Sequence, residues 1–265
     1  MLSASLRTRL EKTATDNGFD VRLSFENDWL AFASSQTPIR VWLSADAEKR
    51  LLVAISQYNV ASELHQHEIV LSTPLPEGAR ALLFAPDFQA LDRLVRRIFQ
   101  LSITLPDELL HVFERQTAKL PKKTEAERLV VQRVGQEIYR AALLDYWHYR
   151  CAMTGLAVPA LLRASHIKPW ADCETDAERL DVYNGLLLAP HFDLAFDKGF
   201  ITVDDEGQGI VSPTLPDEAR VLLGFDKPMR VRMLRDEHRA YLVWHREKVF
   251  RGDKSAGSSA PRSAR

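Results

Sequence analysis

The chain has 265 residues, 46% of them hydrophobic and 27% charged, with a formal net charge of −1. These proportions describe an ordinary globular chain of one large domain or two of modest size, and they do not announce a nucleic-acid binder. The longest uncharged apolar runs, such as Ala81–Pro86 and Gly185–Pro190, fall far short of the ~20 residues needed to cross a bilayer, so no membrane partner is expected. Met1–Arg9 turns polar by Arg7 and has neither an apolar stretch nor a small-residue cleavage site, which argues against a signal peptide. Two cysteines, Cys151 and Cys173, are too few for a disulfide framework or a four-cysteine zinc site, and a reducing, cytoplasmic location fits this usage.

Residues 1–105 read as a small α+β domain. Leu6–Ala14 carries apolar residues at helical spacing and Asn17-Gly18 is a helix stop. Val21–Phe25, Trp29–Ala33, Arg40–Leu43 and Leu51–Ile55 read as short strands between polar turns. Phe88–Leu101 is helical again, with Leu91, Leu94, Val95, Ile98 and Phe99 on one face. His65 and His67 are grouped with no Cys, Asp or third His, and read as surface residues. Recognition, sensing or the holding of a homodimer would all suit such a domain.

Residues 106–123 form a connection in which Pro106-Asp107-Glu108 starts a helix that ends before Pro121. Thr124-Glu125-Ala126-Glu127 is then a capping box, with a threonine hydroxyl and a glutamate placed to satisfy each other's backbone amides. It should start a helix running to about Tyr149 and open a third region, 124–250. Between Asp226 and Arg265 eleven Lys and Arg outnumber five Asp and Glu, a balance that suits either phosphate contact or a solvated tail. Arg251–Arg265 has no large apolar side chain to bury and is expected to be disordered.

The chemistry gathers in residues 150–203. Cys151–Gly155 is a tight turn. An extended run from Leu161–Arg163 reaches Ser165-His166-Ile167-Lys168-Pro169-Trp170, and Pro169 ends it. A polar loop, Ala171–Asp181, leads to Asn184-Gly185 and a second short strand, Leu186–Ala189. Pro190 suits the first turn of a helix that Gly199 stops. Asp193 and Asp197 lie four apart on that helix, so both carboxylates leave one face. Two adjacent carboxylates repel unless a cation lies between them, and oxygen donors suit Mg²⁺ or Mn²⁺. His166 can take a proton from water near neutral pH, and Asn184 can hydrogen-bond across the loop to hold it. The same residues also suit a solvent-facing acidic stripe with an incidental histidine.

Ala164–Trp170, read as Ala-Ser-His-Ile-Lys-Pro-Trp, and Asn184–Gly199, read as Asn-Gly-Leu-Leu-Leu-x-Pro-x-x-Asp-x-x-Phe-Asp-x-Gly, resemble a branch of the HNH nucleases. Arg133–Arg140 and Cys151–Gly155 extend the likeness over roughly 129–212. The resemblance implies a ββα-metal fold, here as a C-terminal nuclease domain after the N-terminal α+β domain. It makes His166 the general base and Asn184 the brace of its loop. Asp193 and Asp197, nine and thirteen residues after that Asn, become the metal ligands, with His191 close enough to substitute. An aspartate in place of the final histidine of the HNH name favours Mg²⁺ or Mn²⁺ over Zn²⁺ or Ni²⁺. Ser165 stands where many members have an acidic or histidine ligand, and no paired CxxC knuckles are present, so no structural zinc is expected.

Arg133, Gln136 and Arg140 share a helix face and are candidates to grip phosphate, as is Lys168 beside the base. Trp170 and Phe196 read as core. In the last helix, Glu237–Phe250, residues Arg239, His245 and Arg246 form a basic edge that could track a DNA backbone. The expectation is a metal-dependent endonuclease acting on DNA, double-stranded by preference, with restriction or defence as a family-level role. A DNA-binding module that does not cleave and a nuclease directed at RNA are the alternatives.

Overall fold

The computed structural model describes residues 2–46, 48, 50–64, 69–70, 75–121 and 124–252. His65, His67 and residues 253–265 of the expected disordered tail lie outside them. The molecule is mixed helix and sheet and divides into two compact units, Met1–Glu108 and Leu109–Arg265.

The first unit holds α1 (Ala4–Asp16), β1 (Val21–Glu26), β2 (Trp29–Ala33), β3 (Arg40–Ala45), β4 (Leu51–Ile55), α2 (Tyr58–Ser62), β5 (Ile69–Val70), β6 (Ala81–Ala85) and α3 (Phe88–Thr104). The strands form an antiparallel sheet in the order β1-β2-β3-β4-β6-β5. Strand side chains alternate between faces. Leu30, Phe32, Val41, Leu43, Val53, Ile55 and Leu83 are buried on the side where α1 and α3 meet the sheet. The opposite parity builds a second cluster of Ala31, Trp42, Ala54 and Leu82, flanked by Trp29, Leu52 and Phe84. Ala81–Ala85, which in the sequence is only an apolar run, is thus the strand between β4 and β5. It is apolar at every position because both of its faces are covered. In α3, Leu91, Leu94, Val95 and Ile98 are buried as their spacing requires, and Asp87 caps the first turn by accepting from Ala90 N.

The division between the units falls within α4 (Pro106–Thr117). Then α5 (Glu125–Tyr146) starts at the Thr124/Glu127 capping box, with both reciprocal bonds made. It stops before Tyr149 because His148 and Tyr149 take left-handed backbone angles, φ 53° and 56°. Next come β7 (Arg163–His166), α6 (Asp176–Leu180), β8 (Gly185–Leu188) and α7 (Pro190–Asp197). The hairpin β9 (Ile201–Val203) and β10 (Gly209–Val211), then α8 (Asp217–Leu222) and α9 (Asp236–Lys248), complete the unit. The first strand begins later than expected, since Pro159–Leu161 forms a 3-10 turn. The polar loop is not bare, because Thr175 caps α6 within it.

Strands β7 and β8 pair antiparallel, Arg163 with Leu188 through His166 with Gly185, and α7 follows directly, giving a ββα unit. Helix α5 contacts this hairpin. At their closest approach a Cβ on Gly185 would stand 2.0 Å from Tyr139 Oη and 2.8 Å from Leu143 Cδ1, so only glycine fits. Behind α7, the turn at Gly199 has φ +72° and lies against the carbonyl of Val249 at the end of α9. Among the described residues no helix is long and apolar enough to cross a membrane.

Candidate active site

His166 ends β7 and is half-buried. Its ring stacks on Tyr139 of α5, with centroids 3.9 Å apart and planes 20° apart, and meets Trp170 edge-on at 5.7 Å. Nε2 lies 2.9 Å from the carbonyl of Arg179. A carbonyl can only accept, so Nε2 carries the hydrogen and the lone pair of the neutral ring sits on Nδ1. Nδ1 has no hydrogen-bond partner among the described residues. Burial pushes the imidazole's pKa down to about 4, against the upward pull of its bond to Arg179, so the ring is neutral at pH 7.

The loop that supplies the Arg179 carbonyl is braced from several sides. Asn184 is fully buried. Its Oδ1 accepts from Lys168 N at 2.7 Å, and its Nδ2 donates to the carbonyls of Lys168 and Glu178 and toward Cys173 Sγ. The Asn184 carbonyl in turn accepts from Tyr139 Oη at 2.8 Å. Lys168 Nζ reaches both oxygens of Glu178, at 2.9 and 3.1 Å. The Arg179 guanidinium donates to the carbonyls of Trp170 and Cys173 and to Asp176.

Asp193 and Asp197 line the same cleft as His166, a cavity of about 440 Å³ whose wall also includes Arg163, Ser165 and Trp170. Ser165 Oγ donates to Asp197 Oδ1 at 3.4 Å, a long bond. Desolvation raises both carboxyls. That of Asp197 climbs to about 6, with the charge of Asp193 as the second cause. No group of three or more His, Cys, Asp or Glu donors forms among the described residues. Two carboxylates fit a hard divalent cation that keeps several waters and takes phosphate oxygens; they lack the nitrogen and sulfur donors zinc prefers.

Other candidates are placed elsewhere or already engaged. His191 does not line the cleft. It is exposed and packs on Phe192 and Phe225, because two residues before Asp193 the helix has turned it to another side. Lys168 is committed to Glu178, its side chain only 12% exposed. Arg140 is spent on the carbonyls of Leu162 and Pro159, bracing the turn before β7, whereas Arg133 and Gln136 stay exposed on α5. The basic edge of α9 is corrected. His245 is buried, stacked on Phe196 at 3.8 Å, with Nε2 on the Phe196 carbonyl and Nδ1 on Thr202 Oγ1. Arg246 holds the Val203 carbonyl and Asp205, and Arg239 holds Asp236 and the Asp205 carbonyl. Cys151 Sγ accepts from the amides of Thr154 and Ala189, tying the 151–155 turn to the start of α7.

Tyr139, Glu178, Arg179 and Arg163 were not picked out by spacing. Tyr139 sits between Gln136 and Arg140 on α5, and a stacking aromatic has no sequence signature apart from core residues. Arg179 acts on the histidine through its main chain, which any residue could supply. Arg163 carries the one signal that was available, a lone cation three residues before the histidine.

Residues 151–204 match the family model described as HNH endonuclease. No curated protein is similar enough to the chain to count as a match. The matched stretch runs from the Cys151 turn through both strands and α7 to the end of β9, and so contains His166, Asn184 and both cleft aspartates. By that match, residues 151–204 of the C-terminal unit carry an HNH endonuclease domain.

Proposed function

We propose that the C-terminal unit hydrolyses phosphodiester bonds of DNA. The observation that carries this reading is the state of His166: one ring nitrogen is fixed on a backbone carbonyl, and the other is left open in a cleft with two aspartates. In that arrangement Nδ1 accepts a proton from a water molecule as its oxygen attacks phosphorus, and the 3′ oxygen leaves. A depressed pKa keeps the ring unprotonated in the free protein, and the anionic phosphate beside it in the complex raises its affinity for the proton. Stacking against Tyr139 and the bond to Arg179 fix the ring's plane, so Nδ1 needs no reorientation during the transfer. Asn184 acts by holding the loop that bears the Arg179 carbonyl. Asp193 and Asp197 would hold a divalent cation, Mg²⁺ or Mn²⁺, which when bound neutralises charge building on the phosphate.

The test is cleavage of supercoiled plasmid by the full chain with EDTA, Mg²⁺ or Mn²⁺, beside His166→Ala. Metal-dependent nicking or linearisation that the variant lacks is the expected result. Equal cleavage by both proteins would remove His166 from the mechanism. Degradation of RNA with plasmid spared would change the substrate, and binding without any product would leave a non-cleaving module.

A further inference from the structure

Among the described residues Arg163 is the one arginine or lysine in the lining of the cleft. It is the first residue of β7, its side chain is exposed, and among the described residues its guanidinium makes no hydrogen bond or ion pair. Lys198, next to Asp197 at the end of α7, is exposed and does not line the cleft, and the other basic side chains around the histidine are occupied. Lys168 is paired with Glu178, Arg179 with two carbonyls and Asp176, and Arg140 with two carbonyls. Arg163 and Ser165 project from the same face of β7, and Ser165 touches Asp197.

Arg163 shares the cleft with two acids, and among the described residues its guanidinium makes no salt bridge with either. The charge count explains what it is suited to. Two ionised aspartates and Arg163 leave the lining with one negative charge, and a bound divalent cation turns that into one positive charge. A phosphodiester carries one negative charge and two acceptor oxygens that match the guanidinium fork.

We propose that Arg163 is the substrate-binding residue of this cleft, gripping a backbone phosphate of the nucleic acid next to the acid pair. This rests on the nuclease reading for its substrate class, DNA or RNA, whose shared phosphate is what the guanidinium meets. It differs from that reading in what it predicts, because a phosphate contact shows in binding whether or not cleavage follows. Each phosphate neutralised releases counterions, which adds about 0.9 to the slope of log affinity against log salt on duplex DNA.

The experiment measures binding of fluorescent duplex DNA, single-stranded DNA and RNA of one sequence to the full chain. His166→Ala is the common background, so no substrate is consumed. Adding Arg163→Ala should weaken binding of the true substrate about 10- to 100-fold and lower the salt slope by about 0.9 on duplex DNA or about 0.7 on a single strand. Arg163→Lys should keep the slope, with affinity within about fivefold, because Lys preserves the charge and loses only the fork. Arg163→Gln serves as a length-matched neutral variant, and melting curves confirm that each protein is folded. An unchanged slope in folded Arg163→Ala and Arg163→Gln overturns the proposal, even where the wild-type chain cleaves in a His166-dependent way. A lowered slope with no cleavage by the wild type keeps Arg163 as the phosphate contact and removes the nuclease reading instead.

Discussion

His166 and the aspartates of α7 face one cleft, but the fold holds them in opposite ways. The imidazole is clamped by a ring on one side, an indole edge on another and a carbonyl on Nε2, and the loop beneath is cross-braced by Asn184 and the Lys168–Glu178 pair. Asp193 and Asp197 are left close enough to repel, with the 3.4 Å hydroxyl contact of Ser165 as the hydrogen bond made to Asp197. On the proposed reading, folding alone fixes the base, whereas the acid pair awaits the cation that would join it. The division has a physical reason: a neutral ring can be stacked and half-buried at little cost, whereas two partly desolvated carboxylates side by side repel unless a cation joins them.

The largest effect that separates the two halves is removal of the base. His166→Ala should lower the cleavage rate about 10³-fold while nucleic-acid affinity stays within about threefold. Loss of binding in parallel would show that the ring's main task is structural. On the other side, the double change of Asp193 and Asp197 to Ala should abolish metal-dependent cleavage. Isothermal titration with Mn²⁺ should then show no binding at the cleft.

The loop brace offers a sharper cut. Asn184→Ala strands the backbone groups of Lys168 and should cost about 2–3 kcal/mol of stability. The cleavage rate should fall with it, while the Mn²⁺ concentration for half-maximal activity should not move. A shift in that concentration would mean that base and acids are coupled through the loop.

Acidity gives a fourth contrast. The folded pKa of Asp197, about 6, lies above its ordinary value. Ionised Asp197 therefore disfavours the fold, with the penalty absent below about pH 4 and fully present above about pH 6. Asp197→Asn should raise the melting temperature at pH 7.5 and leave it unchanged at pH 3.5. In the wild type at limiting metal, activity should rise through pH 6 as Asp197 ionises, and this limb should move to lower pH as metal is added. In the free protein His166 is neutral down to about pH 4, so it should not set the limb of kcat/KM, which reports the free enzyme. A limb fixed near pH 6 at every metal concentration would assign the titration elsewhere. The smallest effect belongs to Arg133→Ala and Gln136→Ala on the exposed face of α5, each expected to weaken binding by no more than about threefold.

Much of the ββα unit was legible because its boundaries are written in residues with strong local preferences: Pro169 and Pro190, whose φ is fixed, and Asn184-Gly185 and Gly199, which favour turns, Gly199 taking φ +72°. The capping box at Thr124 was legible for the same reason, and so was the shared face of Asp193 and Asp197, which follows from helical geometry. The failures have a common physical origin. His166 is oriented by a carbonyl, Lys168 is neutralised by a glutamate ten residues away, and His245 is drawn inward by the Phe196 ring and the Thr202 hydroxyl. In each case the partner is a main-chain atom or a residue brought near only by tertiary folding, and periodicity is blind to both. In the N-terminal unit, strand β6 was passed over because burial on two faces removes the alternation by which a strand is usually recognised.

One wall of the cleft comes from the far end of the chain. His245 and Val249 of the last helical segment border the same space as His166 and Asp197, and the Arg251 amide closes onto the carbonyl of Gly199. A ribosome making this protein releases the base, the brace and both acids well before the residues that close over them. Throughout that interval the nascent polypeptide carries every reactive group but not the finished cavity. The order of translation thus leaves the cleft unfinished until almost the whole described chain has emerged.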